Sequence, residues 1–131
     1  MPEGPEVKTT VDFLKTYTGK TIHKFSVLSG RYTKKSGIEN MSNVTLPSKI
    51  ESVDCKGKFI YFTFLNENSN KKYYLFSTLG MTGMWSDKMT KHTRFLISFS
   101  EDLILYYNDT RNFGTLKFVL SKSDLNKKLK S

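Results

Sequence analysis

The sequence has few of the residues that cross-link or anchor a chain. Cys55 is the sole cysteine among 131 residues, so the sequence can form neither an internal disulfide nor a cysteine-rich zinc site. Its first residues contain no apolar signal run, and no stretch approaches the roughly 18 apolar residues of a membrane-spanning helix. We therefore expect a soluble, intracellular protein that makes no use of a membrane.

Acidic residues are scarce relative to basic ones. The sequence has 21 Lys and Arg against 12 Asp and Glu, which gives a formal charge of +9 and a pI near 9.6. Such a surplus attracts DNA, RNA or an anionic membrane face, although it can also serve solubility alone. Aromatic residues are plentiful, with ten Phe and seven Tyr, and they predict a folded body. The length fits one domain or a fragment of a larger protein.

The spacing of apolar residues predicts one helix followed by many strands. Val7, Val11 and Leu14 recur at helical spacing and Gly19 is a plausible stop, so we expect a helix over residues 5–20. A strand over 21–28 and a polar loop over 29–45 follow. Six further runs rich in Ile, Phe, Tyr, Leu and Val predict strands at 50–54, 58–65, 72–78, 94–100, 103–107 and 115–120.

These elements indicate a mainly β (α+β) fold. Closely spaced antiparallel strands are typical of a two-layer β-sandwich, with a barrel as the alternative. Ser121 and Asp124 resemble a capping box, which predicts a short C-terminal helix beginning in residues 121–131. The expected domain is therefore a two-layer antiparallel sandwich with an N-terminal α-helix and a short C-terminal helix.

The first residues, "MPEGPEV", suggest a covalent mechanism. If Met1 is removed, Pro2 carries a terminal secondary amine, and terminal amines have pKa values near 8. A neutral amine can attack the C1′ carbon of a deoxyribose and form a Schiff base, with Glu3 donating a proton to the ring oxygen. Glu6, about one helical turn further, would help to hold this site. In the alternative interpretation, proline and glutamate merely suit the start of a helix.

Four ordered motifs carry a resemblance to a known family. "MPEGPEV" at 1–7, "KGKFIYF" at 56–62, "LGMTGMW" at 79–85 and "DTRNFG" at 109–114 resemble the formamidopyrimidine-DNA glycosylase / endonuclease VIII family. Glycine at position 4 favours the endonuclease VIII-like branch. The resemblance implies a bifunctional DNA glycosylase that removes oxidised bases and then cleaves the abasic strand by β-elimination.

The resemblance also implies a role for each matched residue. Pro2 aligns with the family's Schiff-base nucleophile, and Glu3 with its proton donor. Lys58 aligns with a hairpin lysine that reaches the phosphate of the lesion, although most lysines are merely solvated. These three residues and Glu6 are the predicted catalytic residues.

A second group of matched residues is predicted to contact DNA. Met81 resembles the residue that fills the gap left by a flipped nucleotide, and Arg111 and Phe113 resemble its partners. Core packing is the usual fate of Met and Phe, but Gly80, Gly83 and Gly114 predict tight turns that would present both at loop tips.

Two further residues complete the prediction. His92 resembles a phosphate-contacting histidine, with a plain surface histidine as the alternative. Asp109 is predicted to orient Arg111 through a charge-assisted pair.

The resemblance implies that residues 1–120 form the N-terminal catalytic domain and that 121–131 begin the linker helix. The family's helix-two-turn-helix and zinc-finger domains have no counterpart in the sequence, so we expect no cofactor. The expected partner is damaged double-stranded DNA, bound by a monomer or by this chain together with a separate chain that supplies the other half. Two alternatives stay open: a non-catalytic DNA-binding remnant of the same fold, and a small β-barrel that binds single-stranded nucleic acid.

Overall fold

A computed structural model describes residues 4–34 and 37–131 of the chain, with side chains from Glu6 onward. Within these residues the chain forms two α-helices and nine β-strands. The elements are α1 (Gly4–Lys15), β1 (Thr21–Ile22), β2 (Lys24–Val27), β3 (Ser48–Lys56), β4 (Phe59–Asn66), β5 (Lys71–Thr78), β6 (Gly83–Ser86), β7 (Thr93–Ser98), β8 (Ile104–Asp109), β9 (Thr115–Val119) and α2 (Lys122–Lys130).

The strands form two antiparallel sheets that pack face to face. One sheet has the order β1-β3-β4-β5-β9 and the other β2-β7-β8-β6. Alternate residues of β4 and β7 are buried, as expected for strands with one face toward a core. The predicted two-layer antiparallel sandwich with an N-terminal helix and a C-terminal helix is confirmed.

Aromatic side chains fill the space between the sheets. The ring of Phe25 on β2 lies 6.0 Å from that of Phe95 and 5.1 Å from that of Phe118, which belongs to the opposite sheet. Phe62, Phe64, Phe95 and Phe118 are fully buried. Each such ring contributes about 2–3 kcal/mol by burial, so this aromatic layer is what holds the two sheets together.

Helix α1 packs its apolar stripe on the sandwich and ends earlier than predicted. Val7, Val11 and Leu14 are buried, and α1 contacts β3, β4 and β6. The helix ends at Lys15 because residues 16–19 form turns, and Gly19, at φ +85°, donates its N–H to the Ile50 carbonyl at 2.8 Å. A helix of 12 residues is about 18 Å long.

One strand prediction was wrong in detail, and one strand was not predicted. The predicted strand over 21–28 is two strands, because β1 pairs with β3 of the five-stranded sheet while β2 pairs with β7 of the other. Strand β6 was missed, since its four residues include Gly83 and show no clear alternation in the sequence.

Helix α2 lies on the outer face of the five-stranded sheet. The Ser121 side chain accepts a hydrogen bond from the Asp124 N–H at 3.1 Å, so the predicted N-terminal cap is confirmed. Leu125 packs with Tyr74 and Val119 in an apolar cluster separate from the main core. The helix thus covers a patch of the sheet next to β5.

Candidate nucleic-acid interface

Three chain segments meet at one edge of the sandwich. Strand register pairs Lys56 with Phe59, Phe59 with Thr78, and Thr78 with Thr115, in one row across β3, β4, β5 and β9. The β3–β4 turn, the turn after β5 and the segment before β9 therefore leave the sheet at the same edge. Because paired strands lie about 4.8 Å apart, the three segments fall within roughly 15 Å of one another.

Lys58 lies at the tip of the β3–β4 hairpin. Gly57 and Lys58 form its two-residue turn, and Gly57 has φ +59°. A glycine with positive φ at the first of two turn positions is typical of the tight turns that match the twist of antiparallel strands. The Lys58 side chain is exposed at this tip. The hairpin therefore presents a cation at the edge of the sheet.

Met81 lies at the tip of the next turn. Gly83 donates its N–H to the Leu79 carbonyl at 2.7 Å, which closes the turn, and Gly80 has φ +58°. The Met81 side chain is 56% exposed, so it lies outside the core. The interpretation of Met81 as core packing is therefore wrong.

Arg111 and Phe113 lie in the loop between β8 and β9. Phe113 is 60% exposed, and the Arg111 Cζ atom lies 5.0 Å from the centre of its ring. This distance suits a cation–π contact, which keeps both side chains together at the surface. The loop thus presents an aromatic ring and a cation next to the Met81 turn.

Asp109 holds the base of this loop. Its carboxylate is 1% exposed and accepts four hydrogen bonds. The donors are the Thr82 hydroxyl at 2.5 Å, the Tyr107 hydroxyl at 3.0 Å, the Asn112 N–H at 3.0 Å and the Gly114 N–H at 2.9 Å. Burial, with the charge of Asp109 and the hydrogen bond to it, raises the pKa of Tyr107, so its phenol stays a donor.

The predicted charge-assisted pair between Asp109 and Arg111 is not what the structure shows. Arg111 is bound through its backbone instead, because its N–H donates to the Thr82 hydroxyl at 2.9 Å, and that hydroxyl donates to Asp109. The carboxylate accepts from Thr82, Tyr107 and two loop amides. Asp109 therefore orients the loop rather than the guanidinium.

Two arginines that the sequence analysis missed also hold the loop. Arg94 donates to the Asp109 carbonyl at 2.9 Å and to the Thr110 carbonyl at 3.2 Å. Arg31 donates to the Gly114 carbonyl. Both guanidinium groups thus bind backbone carbonyls of the segment that carries Arg111 and Phe113. No sequence signal marks Arg31. Thr82, which the sequence analysis also missed, could have been noticed because it carries the one side-chain hydroxyl in the "LGMTGMW" motif.

The remaining predicted residues fall into two groups. His92 is half-buried in the turn before β7, and its carbonyl accepts the Asp109 N–H at 3.0 Å, so it borders the same loop. Glu6 is exposed in the first turn of α1. Pro2 and Glu3 lie outside the described residues. The contacts of His92 and Glu6 with DNA or substrate stay predictions.

Neither a metal centre nor a membrane segment is found in the part of the chain that the structure describes. In residues 4–34 and 37–131, no group of three or more His, Cys, Asp or Glu side chains is arranged to hold a metal ion. No helix among them is long and apolar enough to cross a membrane.

The fold and this edge together define a β-sandwich domain of the kind found in DNA-repair glycosylases. A model of the formamidopyrimidine-DNA glycosylase N-terminal domain matches residues 1–116. The chain belongs to this family, which confirms the resemblance noted in the sequence. Whether it belongs to the endonuclease VIII-like branch stays a prediction.

Curated relatives agree with the family model. The chain is 33% identical over 123 residues to a formamidopyrimidine-DNA glycosylase of Exiguobacterium sibiricum, matching 89% of this chain and 42% of that protein. It is 34% identical over 131 residues to one of Mycoplasma mobile, matching 95% of this chain and 46% of that protein. The chain thus spans less than half the length of these relatives.

Solved structures agree with the fold. One is MutM in complex with DNA containing carbocyclic 8-oxo-G, with a TM-score of 0.80, 25% identity and coverage of 98% of this chain and 49% of that one. Another is the MutM (Fpg) protein of Thermus thermophilus, with a TM-score of 0.73, 30% identity and coverage of 92% and 41%. The domain architecture is therefore shared along nearly the whole chain.

Proposed function

We propose that this chain carries the catalytic half of a bifunctional DNA glycosylase and AP lyase that acts on oxidised bases in duplex DNA. The observation that carries the proposal is the meeting of Lys58, Met81, Arg111 and Phe113 at one edge of the sandwich, from three separate segments. Pro2 is two residues before Gly4, where α1 begins. As part of this proposal, residues 1–120 form the catalytic domain and residues 121–131 begin a linker helix.

The proposed chemistry starts at the terminal nitrogen. With Met1 removed, the Pro2 nitrogen attacks C1′ of the damaged nucleotide, the N–C1′ bond forms, and the bond from C1′ to the base breaks. The base leaves with the bonding electron pair and takes up the proton that the Pro2 nitrogen loses. Glu3 donates a proton to the ring oxygen as the sugar opens, which leaves an iminium joined to the protein. Loss of a C2′ proton then expels the 3′ phosphate, and the strand is cleaved. No cofactor takes part.

The exposed edge supplies binding and base flipping in this proposal. Lys58 at its hairpin tip reaches a phosphate near the lesion, where its charge assists loss of the phosphate. Excision requires the base to leave the stack, and an apolar side chain must fill the space. Met81 is exposed and adaptable, Phe113 can stack, and Arg111 can donate to the unpaired opposite base.

This chain spans less than half the length of its curated relatives, so it supplies only part of their contacts with DNA. Phosphate contacts supply much of the affinity of a DNA-binding protein. Its charge of +9 supports weak, salt-sensitive binding to damaged duplex DNA by this half alone. Tight binding and lesion choice would depend on a helix-two-turn-helix half, whether joined to this chain or supplied by another.

Borohydride trapping on a duplex with one abasic site tests the proposal. We expect a covalent adduct with the chain whose intact mass shows removal of Met1. The same chain with an uncleaved N-terminal extension should give none, because its Pro2 nitrogen is an amide. An adduct from the extended chain would contradict the role of Pro2. Duplex binding without any adduct would instead support a non-catalytic DNA-binding domain.

Lys58→Ala provides the second test. We expect strand cleavage in single-turnover assays to slow about 100-fold, while duplex binding weakens only a few-fold, because one phosphate contact is a small part of affinity. Lys71→Ala is the matched control: it removes an exposed lysine from the opposite end of the same sheet. Equal loss of cleavage and binding in Lys58→Ala would contradict the proposed role.

A further inference from the structure

The carboxylate of Asp109 joins the turn that bears Met81 to strand β8 and to the loop that follows β8. Thr82 comes from the turn that bears Met81, Tyr107 from strand β8, and the amides of Asn112 and Gly114 from the loop that bears Arg111 and Phe113. Each carboxylate oxygen accepts two hydrogen bonds. A buried carboxylate with this many donors is locked in one position, because losing any donor leaves a buried charge poorly compensated.

The Thr82 hydroxyl connects the two tips directly. It donates to Asp109 and accepts from the Arg111 N–H, 29 residues away in sequence. The backbones also touch, since a Cβ atom placed on Gly80 would lie 3.0 Å from the Gly114 nitrogen and 3.2 Å from the Phe113 carbonyl carbon. The Met81 turn and the Arg111–Phe113 loop therefore cannot move far apart while these contacts hold.

We propose that Asp109 and Thr82 are positioning residues that couple the two tips, so that Met81 and Phe113 enter the DNA as one cooperative step. The inference rests on the proposed function for its DNA context. The coupling itself belongs to the free protein, where the shared hydrogen bonds make the two segments open and close together. The side chains that meet the DNA do not include either positioning residue.

Thr82→Val tests the coupling with little change in shape. Valine removes the hydroxyl, so Asp109 loses one donor and the Arg111 N–H loses its acceptor, whereas Thr82→Ser keeps both. Amide hydrogen exchange should become faster at 79–83 and at 110–114 together in Thr82→Val, and stay as in the wild type in Thr82→Ser. Faster exchange in only one segment, or equal behaviour of the two variants, would overturn the proposal.

Ser48→Ala controls for a general loss of stability. Ser48 is buried at the other end of the sandwich, where its hydroxyl donates to the Thr45 carbonyl at 2.7 Å and accepts from Tyr73 at 2.9 Å. This variant should lower the free energy of unfolding without changing exchange at the two tips relative to the core. A change at the tips as large as that in Thr82→Val would show that Thr82 acts through stability alone.

A double-mutant cycle on DNA tests the cooperative entry. Fluorescence of 2-aminopurine placed opposite an abasic site reports unstacking of that base. This fluorescence is measured for three variants, Met81→Ala, Phe113→Ala and the double variant. Each is made in the wild-type and in the Thr82→Val background. We expect coupling of at least about tenfold between the two substitutions in the wild type and additive effects in Thr82→Val. Equal coupling in both backgrounds would overturn the inference.

The two failures are distinguishable. If the wild type gives neither an adduct nor a fluorescence change on abasic DNA, the proposed function fails, while the exchange experiment still decides whether the tips are coupled. If the adduct and the fluorescence change are present but Thr82→Val leaves exchange and coupling unchanged, the inference alone fails.

Discussion

At the scale of single residues, Gly114 shows how tightly the base of the β8–β9 loop is packed. A Cβ atom on Gly114 would lie 1.8 Å from the Tyr107 hydroxyl, 2.6 Å from the Thr78 carbonyl oxygen and 2.9 Å from an Asp109 carboxylate oxygen. We expect Gly114→Ala to lower the free energy of unfolding by about 3 kcal/mol or more, because backbone and a bound hydroxyl must move. Urea unfolding at neutral pH measures this loss.

Gly19→Ala is the control for the glycine effect as such. A Cβ atom on Gly19 meets nothing within 4 Å, but its φ of +85° is strained for alanine, so we expect a loss of about 1–2 kcal/mol. A Gly114→Ala loss no larger than that of Gly19→Ala would mean that the loop can shift freely. The hydrogen-bond network around Asp109 would then be weaker than its geometry indicates.

Single residues also show what the sequence could and could not predict of the site. Met81 and Phe113 were predicted at loop tips because glycines flank them, and both are exposed. The contact of Asp109 with Thr82 was not predictable, since it joins residues 27 apart and depends on the β6–β8 pairing. Local pattern reports turns, whereas a hydrogen-bond network depends on how distant segments pack.

At the scale of elements, helix α2 is attached to the hairpin that carries Lys58. The Lys128 ammonium lies 5.3 Å from the centre of the Phe59 ring, and Lys56 donates to the Ser131 carbonyl at 3.4 Å. Lys56 and Phe59 flank the Gly57–Lys58 turn on either side. The last turn of α2 therefore contacts the residues on both sides of the hairpin turn. Loss of α2 should make this turn more mobile.

Leu125→Ala tests this attachment. Leu125 is 5% exposed and is the main anchor of α2 on Tyr74 and Val119, so we expect a loss of about 2 kcal/mol and faster amide exchange at 56–59. Leu120→Ala is the matched control, because Leu120 is 44% exposed just before the helix and should change neither quantity measurably. Unchanged exchange at 56–59 in Leu125→Ala would show that the hairpin holds itself.

The strands show which parts of the fold cannot be predicted from local sequence pattern. The alternation of apolar residues predicted most strands correctly, but it could not show that residues 21–22 and 24–27 belong to different sheets. Sheet membership is decided by long-range pairing, with β3 in one case and β7 in the other. Strand β6 was missed for a related reason, because its pairing with β8 compensates for its weak local pattern.

At the scale of the whole molecule, two buried tyrosines hold opposite ends of the sandwich. The Tyr73 hydroxyl donates to Ser48 at 2.9 Å at one end, and the Tyr107 hydroxyl donates to Asp109 at 3.0 Å at the other. Burial raises the pKa of Tyr73 to about 12 from its ordinary value of 10.0, and burial also raises the pKa of Tyr107. Both ends therefore depend on a protonated phenol.

The raised pKa values predict an alkaline loss of stability. Between pH 10 and 12 the unfolded chain releases the Tyr73 proton while the folded chain retains it, so the free energy of unfolding falls as pH rises. The contribution of Tyr73 is complete below pH 10 and falls by about 1.4 kcal/mol per pH unit above it, and Tyr107 adds a fall of the same sign.

Tyr73→Phe should lower the free energy of unfolding by about 1 kcal/mol at pH 7, because it loses a hydrogen bond. Between pH 10 and 12, however, its free energy of unfolding should fall less steeply than that of the wild type. Urea unfolding of both proteins across this range measures the two slopes, and parallel slopes would exclude Tyr73 as a source of the alkaline loss.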